Sequence, residues 1–408
     1  MADVKIGFGE KNKSAADIIR RRMLAHSETM RKLLPKVRAR AVAVTGIEDM
    51  NVLGKVREAC ASVPEGENWK DARKKVAELI GDKGAAKRRA ETVLRTNCET
   101  ARATAHWQNI RKEADIFPYL MYETMRDGQV RPSHKALDGM IVKAGDDFWK
   151  KHYPPWDWGC RCTVVQIDKE MRDQLCRDKV GKVMSKEAKQ DFKMRFGNEK
   201  HTFEFDPEGF GDFTKLDLDE KKLRAMHDAL SRDIPGNTVR NERNEPENAW
   251  EFLWRTGPQA ADNETLRDSA ARDHMEHVVV RDAATGEVLE RATGGESSVG
   301  TKKDWYREGL PGKVRATHIH PVAQFAIPSP GDVITALQNR SDMETVIAEW
   351  GGAATLRPKP DMKLRREKLA GELDGWQRAL DSGEKSVREW TAWLKSMKNE
   401  LGYVEDAK

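Results

Sequence analysis

The chain has 408 residues, of which 38% are hydrophobic and 34% charged, with a net charge of +5. That length implies two or three domains, and the composition argues against wholesale disorder while leaving no apolar run near the roughly 18–20 residues of a bilayer span. Five cysteines, an odd number thinly spread, exclude a disulfide framework and suit a reducing compartment.

The opening MADVKIGFGEKNKS lacks the apolar core of a secretory signal, so synthesis in a cytoplasm without a membrane anchor is expected. Charge is unevenly spread. Residues 1–100 hold 22 Lys+Arg against 14 Asp+Glu, and residues 201–300 hold 12 against 22. The basic first hundred residues suit a solvated helix face, or contact with nucleic acid or an acidic protein. KRRAETVLR at 87–95 lacks the interleaved aromatics of a specific nucleic-acid reader.

In chain order, residues 14–44 read as a helix capped by Ser14 with Asp17 behind it and interrupted at Pro35. Residues 68–80 and 85–112 also have helical spacing, with Cys98 on the apolar face as a small core residue. Gly, Pro and aromatic residues crowd 118–165, residues 170–195 look like a charged helix, and 201–250 read as loops or a boundary. MEHVVVRD and GEVLERAT form a hairpin around AATG, and GKVRATHIH is a third strand. SPGDVITALQNR is a helix with Ser329 as N-cap and Pro330 at its first position. METVIAEW and ATLRP make a second hairpin around Gly351-Gly352. Residues 361–401 form an amphipathic helix or helical pair whose apolar side (Leu364, Leu369, Leu373, Trp376, Leu380, Trp390, Trp393, Leu394) is either a docking stripe or an internal seam, with Gly383 marking a turn. The expected class is α+β, divided into 1–85 (helical), 86–168 (an α+β module), 169–250 (charged helix and acidic linker), 251–360 (small α+β domain) and 361–408 (amphipathic helix).

Two stretches carry chemistry. In HYPPWDWGCRCTVVQI, 152–167, Pro154-Pro155 stiffens the approach, Trp156 and Trp158 offer apolar surface, and Gly159 allows a tight turn before Cys160, Arg161 and Cys162. Arg161 can fork onto a carboxylate such as Asp138 or Asp157. The cysteines read as buried small residues, as zinc ligands completed by His134 or His152, or as a disulfide; one-residue spacing is a poorer zinc signature than Cys-x-x-Cys. Arg131, His134 and Asp138 read as a network that locks the neighbouring turn. LRTNCETARATAHW, RPSHKALDGMIV and this stretch together, residues 94–167, resemble the phage Mu F-like family of head morphogenesis proteins, through the helix from Arg95, Arg131 with His134, Asp138-Gly139, the proline pair and Gly159-Cys160-Arg161-Cys162. The resemblance implies a structural role as a minor head protein of a tailed-phage virion, assembled in the host cytoplasm. Its partners would be the portal and other head proteins, with packaged DNA nearby; a non-specific DNA-binding assembly factor is a separate class of reading.

The second stretch, THIHPVAQFAIPSPGD at 317–332, resembles the metal motif of JAB/JAMM-type zinc hydrolases. Two imidazoles at a strand end and one carboxylate can hold zinc and leave a position for water, whose proton a further carboxylate accepts. The resemblance implies His318, His320 and Asp332 as ligands, Ser329 supporting the tetrahedral intermediate, and Glu276 as general base. Two departures stand out: eight residues separate His320 from Ser329 where the family pattern has seven, and the apolar-glycine context after the upstream Glu is missing. This would make the protein a virion-carried peptidase or isopeptidase. The alternative reading of the same residues is a helix N-terminus and a strand end without metal.

Overall fold

The structure, a computed structural model, describes residues 12–81, 86–157, 159–199, 204–210, 213–216, 218–301, 314–321, 326–338, 343–359 and 366–406; Trp158 and Leu364 lie outside them. The chain divides into two compact units, Met1–Leu253 and Trp254–Lys408. Helices dominate, and the described strands form small mixed sheets, so the class is α+β as expected. Among the described residues no helix is long and apolar enough to cross a membrane.

In the first unit, the long helix expected over 14–44 is absent. The chain instead forms α1 (Lys13–Arg20), β1 (Met23–Leu24), α2 (Ser27–Lys32) and β2 (Ala41–Val42). The cap is also shifted: Asn12 Oδ1, and not Ser14, accepts the Ala15 amide at 2.9 Å. The break has a tertiary cause. Arg22 is 2% exposed, and its guanidinium donates to Asn97 Oδ1 at 2.8 Å and Thr100 Oγ1 at 2.7 Å. Those partners lie on a helix 75 or more residues away, which no local pattern announces.

Next come α3 (Met50–Ala61), α4 (Trp69–Ile80) and the long α5 (Ala86–Lys112), packed with α1 around Ile19, Leu53, Val56, Val76, Leu94 and Cys98. Cys98 is fully buried, in keeping with a small core residue, and burial holds its thiol well above the usual range. Asn68 starts α4 by accepting the Lys70 amide, and Gly81 ends it in the left-handed region.

A second core follows α5. It is built from β3 (Tyr119–Glu123), α6 (Pro132–Lys135), β4 (Met140–Lys143), α7 (Trp149–His152), β5 (Thr163–Ile167), α8 (Lys169–Arg177), β6 (Lys182–Val183) and α9 (Lys186–Phe196). The sheet order is β5-β3-β4-β6. Its aromatic density becomes packing: Trp107, Tyr122, Trp149, Tyr153, Trp156 and Phe192 fill one cluster. The charged helix expected at 170–195 is two helices split by β6. The stretch 201–250, read as loops, contains α10 (Glu220–Leu230), β7 (Thr238–Arg240) and β8 (Pro246–Asn248); the latter two join β1 and β2 in a small sheet. α11 (Ala249–Thr256) follows.

The second unit opens with α12 (Pro258–Asp273). Its sheet gathers β9 (His277–Asp282), β10 (Val288–Thr293), β11 (Val314–His320), β12 (Met343–Ala348), β13 (Ala353–Leu356) and β14 (Val404–Asp406), in the order β10-β9-β11-β12-β13-β14. Both expected hairpins form, β9–β10 and β12–β13. β11 and β12 run parallel at the centre, and β12 is buried at every position. α13 (Pro330–Gln338) leads into β12.

α14 (Arg366–Asp381), α15 (Val387–Ser396) and α16 (Lys398–Leu401) then return the chain to β14. The tryptophan-bearing side is an internal seam: Leu369, Leu373, Trp390 and Leu394 share one core with Val333, Ala336, Ala348 and Leu356. Gly383, at φ +74°, makes the turn between α14 and α15, and Ser386 with Glu389 forms a capping box that starts α15.

Candidate metal centres

His318 and His320 lie two residues apart on β11, so the period-two alternation of a strand puts both imidazoles on one face. Their Nε2 atoms are 3.2 Å apart. Asp332, in the first turn of α13, reaches both: Oδ1 lies 3.2 Å from His318 Nε2 and Oδ2 lies 3.4 Å from His320 Nε2. Donor atoms bound at zinc distances around a tetrahedral ion stand about 3.3–3.4 Å apart. The two imidazole nitrogens therefore stand about one tetrahedron edge apart, and each has its own oxygen of the Asp332 carboxylate at a similar distance. Two imidazoles and one carboxylate form the donor set of an open zinc site.

Ser329 fixes the carboxylate. Its Oγ accepts the Asp332 amide at 3.1 Å, and its own amide donates to Asp332 Oδ2 at 2.6 Å. The hydroxyl thus caps the start of α13. The loop before it is held by Trp390, whose Nε1 donates to the Pro328 carbonyl at 2.7 Å.

Glu276, which precedes β9, is buried and lies within electrostatic reach of His320, His318 and Asp332. Burial raises its carboxyl above the ordinary range, with His320 and His318 opposing that rise. Burial opposes charge on His318, but Asp332 and Glu344 outweigh it and hold the imidazole well above its usual value. Burial likewise opposes charge on Asp332, and His318 and His320 together hold its carboxyl well below the usual range.

Glu344 escaped the sequence reading. It sits on β12, 3% exposed, with Oε1 3.1 Å from His318 Nδ1. A carboxylate on the far nitrogen of a ligating histidine fixes its tautomer and raises its basicity. The signal was present: METVIA is buried at all six positions, and its lone acid needs a partner.

The Gly-Cys-Arg-Cys turn gathers a different set. His134 on α6 is 2% exposed, and its Nδ1 lies 3.5 Å from Cys160 Sγ and 3.6 Å from Cys162 Sγ. His152 is elsewhere, stacked on Phe148 with Nδ1 against the Phe148 carbonyl. Both cysteines are free thiols. The neighbouring Cys160, then His134 and Tyr122, hold the Cys162 thiol well below its usual range. Trp156 stacks on His134 with ring centres 4.3 Å apart, and its Nε1 donates to the Tyr122 hydroxyl at 2.7 Å.

The expected Arg131–His134–Asp138 network does not form, because each member has a different partner. Asp138 accepts from the Thr124 amide and hydroxyl and pairs with Arg126 at 2.9 Å; Arg131 pairs with Asp157 at 3.3 Å. Arg161 reaches Asp127 at 2.7 Å and neither Asp138 nor Asp157. Gly139 adopts φ +73°, and a Cβ there would stand 2.6 Å from the Val180 carbonyl oxygen, so both backbone conformation and space demand glycine.

Residues 51–165 match the family model described as Phage Mu protein F like protein, a stretch that begins with α3, well before residue 94. Protein F of Escherichia phage Mu, named for capsid assembly, is 31% identical over 162 residues, covering 35% of this chain and 37% of that protein. The Mu-like prophage FluMu F protein of Haemophilus influenzae is 44% identical over 80 residues, covering 20% of this chain and 19% of its own length. An uncharacterized protein of Methanocaldococcus jannaschii is 40% identical over 48 residues, covering 12% and 8%. No solved structure gives a significant match. Residues 51–165, and with them His134, Cys160 and Cys162, thus resemble the Phage Mu protein F like family, whereas His318, His320 and Asp332 lie beyond the matched stretch.

Proposed function

We propose that this chain is a minor head protein of a tailed phage or prophage, acting at the portal during head assembly and DNA packaging. The observation that carries this reading is the match of residues 51–165 to a family whose phage Mu relative is named for capsid assembly. Other head proteins and the portal are its partners in this reading, packaged DNA lies close to its basic N-terminal region, and the virion is its destination. The test is a deletion of the gene in its phage, with filled heads counted by electron microscopy. Normal numbers of filled heads would sink the assembly role.

The His318–His320–Asp332 cluster supports a second activity, a zinc-dependent hydrolase of peptide or isopeptide bonds similar to JAB/JAMM-type enzymes. A bound zinc ion would supply an activated water and polarise the scissile carbonyl. With zinc held by His318, His320 and Asp332, Glu276 would be the group to take up a proton from the attacking water, Glu344 would hold His318 in the ligating tautomer, and Ser329 would keep Asp332 aimed at the histidines. In the same deletion phage, H320A and E276Q chains separate the roles. Loss of peptide cleavage with normal heads assigns the hydrolase to an effector carried in the virion. A wild-type chain that binds zinc at this cluster yet cleaves no peptide or isopeptide substrate removes the hydrolase reading.

A further inference from the structure

Outside the hydrolase-like cluster, His134, Cys160 and Cys162 also bring three metal-ligating atoms together among the described residues. The one-residue spacing of the cysteines suits this arrangement. Side chains alternate along extended chain, so the chain entering β5 sends Cys160 and Cys162 to His134 while Arg161 between them pairs with Asp127. Across a tetrahedral zinc ion, a thiolate sulfur and an imidazole nitrogen stand about 3.6 Å apart. The two sulfur–nitrogen separations here are 3.5 and 3.6 Å.

The surroundings are those of a built site. His134 is buried, its ring is clamped by stacking on Trp156, and its Nε2 has no hydrogen-bond partner among the described residues. Nδ1 meets only two thiols, which are weak hydrogen-bond partners. A buried imidazole held for structure alone would be expected to find stronger ones. The Tyr122 hydroxyl hydrogen-bonds Cys162 and is itself held by Trp156 Nε1. That is an outer layer of support for a thiolate. Cys162 is half-buried, so a fourth position can open toward solvent.

We propose that His134, Cys160 and Cys162 form a soft-metal centre of the zinc class, with two thiolates, one imidazole and a fourth position for water or an added ligand. Two thiolates neutralise a dication in this buried turn, and thiolate ligation selects zinc over magnesium or calcium. The centre ties α6 to the start of β5, two segments 26 residues apart that share no backbone pairing. It is independent of the histidine cluster in the second unit.

The test uses the full chain carrying H318A and H320A, which silences the other cluster. Cobalt(II) titration of this chain gives one equivalent bound, with tetrahedral d–d bands and thiolate-to-cobalt charge-transfer absorption. C160S and C162S each diminish the charge-transfer band, and C176S leaves it intact. Zinc displaces the cobalt. As a measurement free of variants, alkylation of the wild-type chain is followed by mass spectrometry. Zinc protects Cys160 and Cys162 and leaves Cys176, the internal reference, unaffected. Absence of charge-transfer absorption in the folded chain, or equal alkylation with and without zinc, overturns the proposal. A Cys160–Cys162 disulfide in chain purified without reductant, persisting under mild reduction with zinc present, overturns it as well.

Discussion

Glu344 makes the sharpest test of the second-unit site, because it touches no proposed metal and acts only through His318. Its Oε1 stands 3.1 Å from His318 Nδ1, and the side chain is 3% exposed, so water cannot replace it. Removing the partner of a ligating histidine costs about 10–100-fold in metal affinity, or about 1.4–2.7 kcal/mol. E344Q retains an acceptor oxygen but not the charge and belongs near the lower figure. E344A removes the acceptor and leaves the imidazole free to turn, which places it near the upper one. The assay is zinc competition against a chromophoric chelator at neutral pH, with circular dichroism to establish that each variant is folded. The variants should rank wild type, E344Q, E344A in falling affinity. A folded E344A chain that binds zinc within about twofold of wild type, against the expected range, would refute the argument that the carboxylate orients the ligand.

Three further outcomes follow from packing and charge. G139A forces a Cβ to within 2.6 Å of the Val180 carbonyl at φ +73°, and should lose about 2–4 kcal/mol in urea denaturation of the first unit. W390F keeps a ring in the core but removes the donor to Pro328; it should cost about 1–3 kcal/mol and also weaken zinc binding, since that carbonyl lies next to Ser329. Asp206 is buried with its carboxyl pushed up to about 6 by burial, and Lys36 Nζ, at 3.8 Å, is too far to hydrogen-bond it. Because its folded value lies above the unfolded one, the folded chain holds the proton more tightly, and stability falls as pH rises from about 4 to about 6. The loss relative to D206N should reach about 3 kcal/mol, and paired pH-dependent denaturation curves would check it.

The sequence by itself determined what backbone periodicity and turn chemistry can encode. His-x-His on a strand puts two imidazoles on one face whatever the strand packs against, and Ser329-Pro330-Gly331-Asp332 is a helix start wherever the helix goes. The hairpins around Thr285-Gly286 and Gly351-Gly352 and the helix over 68–80 were legible for the same reason: each is settled within a few residues. The match to Mu F-like proteins likewise followed from ordered local motifs.

Tertiary structure decided what depends on neighbours far along the chain. The helix expected over 14–44 is broken where Arg22 is buried against Asn97 and Thr100 and where Met23–Leu24 pairs with β2 and β7. Glu344 meets His318 only because β12 runs parallel beside β11, a pairing no local spacing reveals. His134 and not His152 faces the cysteines because α6 and the start of β5 converge, while His152 stacks on Phe148 in the same aromatic core. The tryptophan side of 361–401 became a seam because α13 and the sheet offered it an apolar surface to cover. Local order is written in residues a turn apart; which faces meet is set by how the whole chain buries its apolar surface.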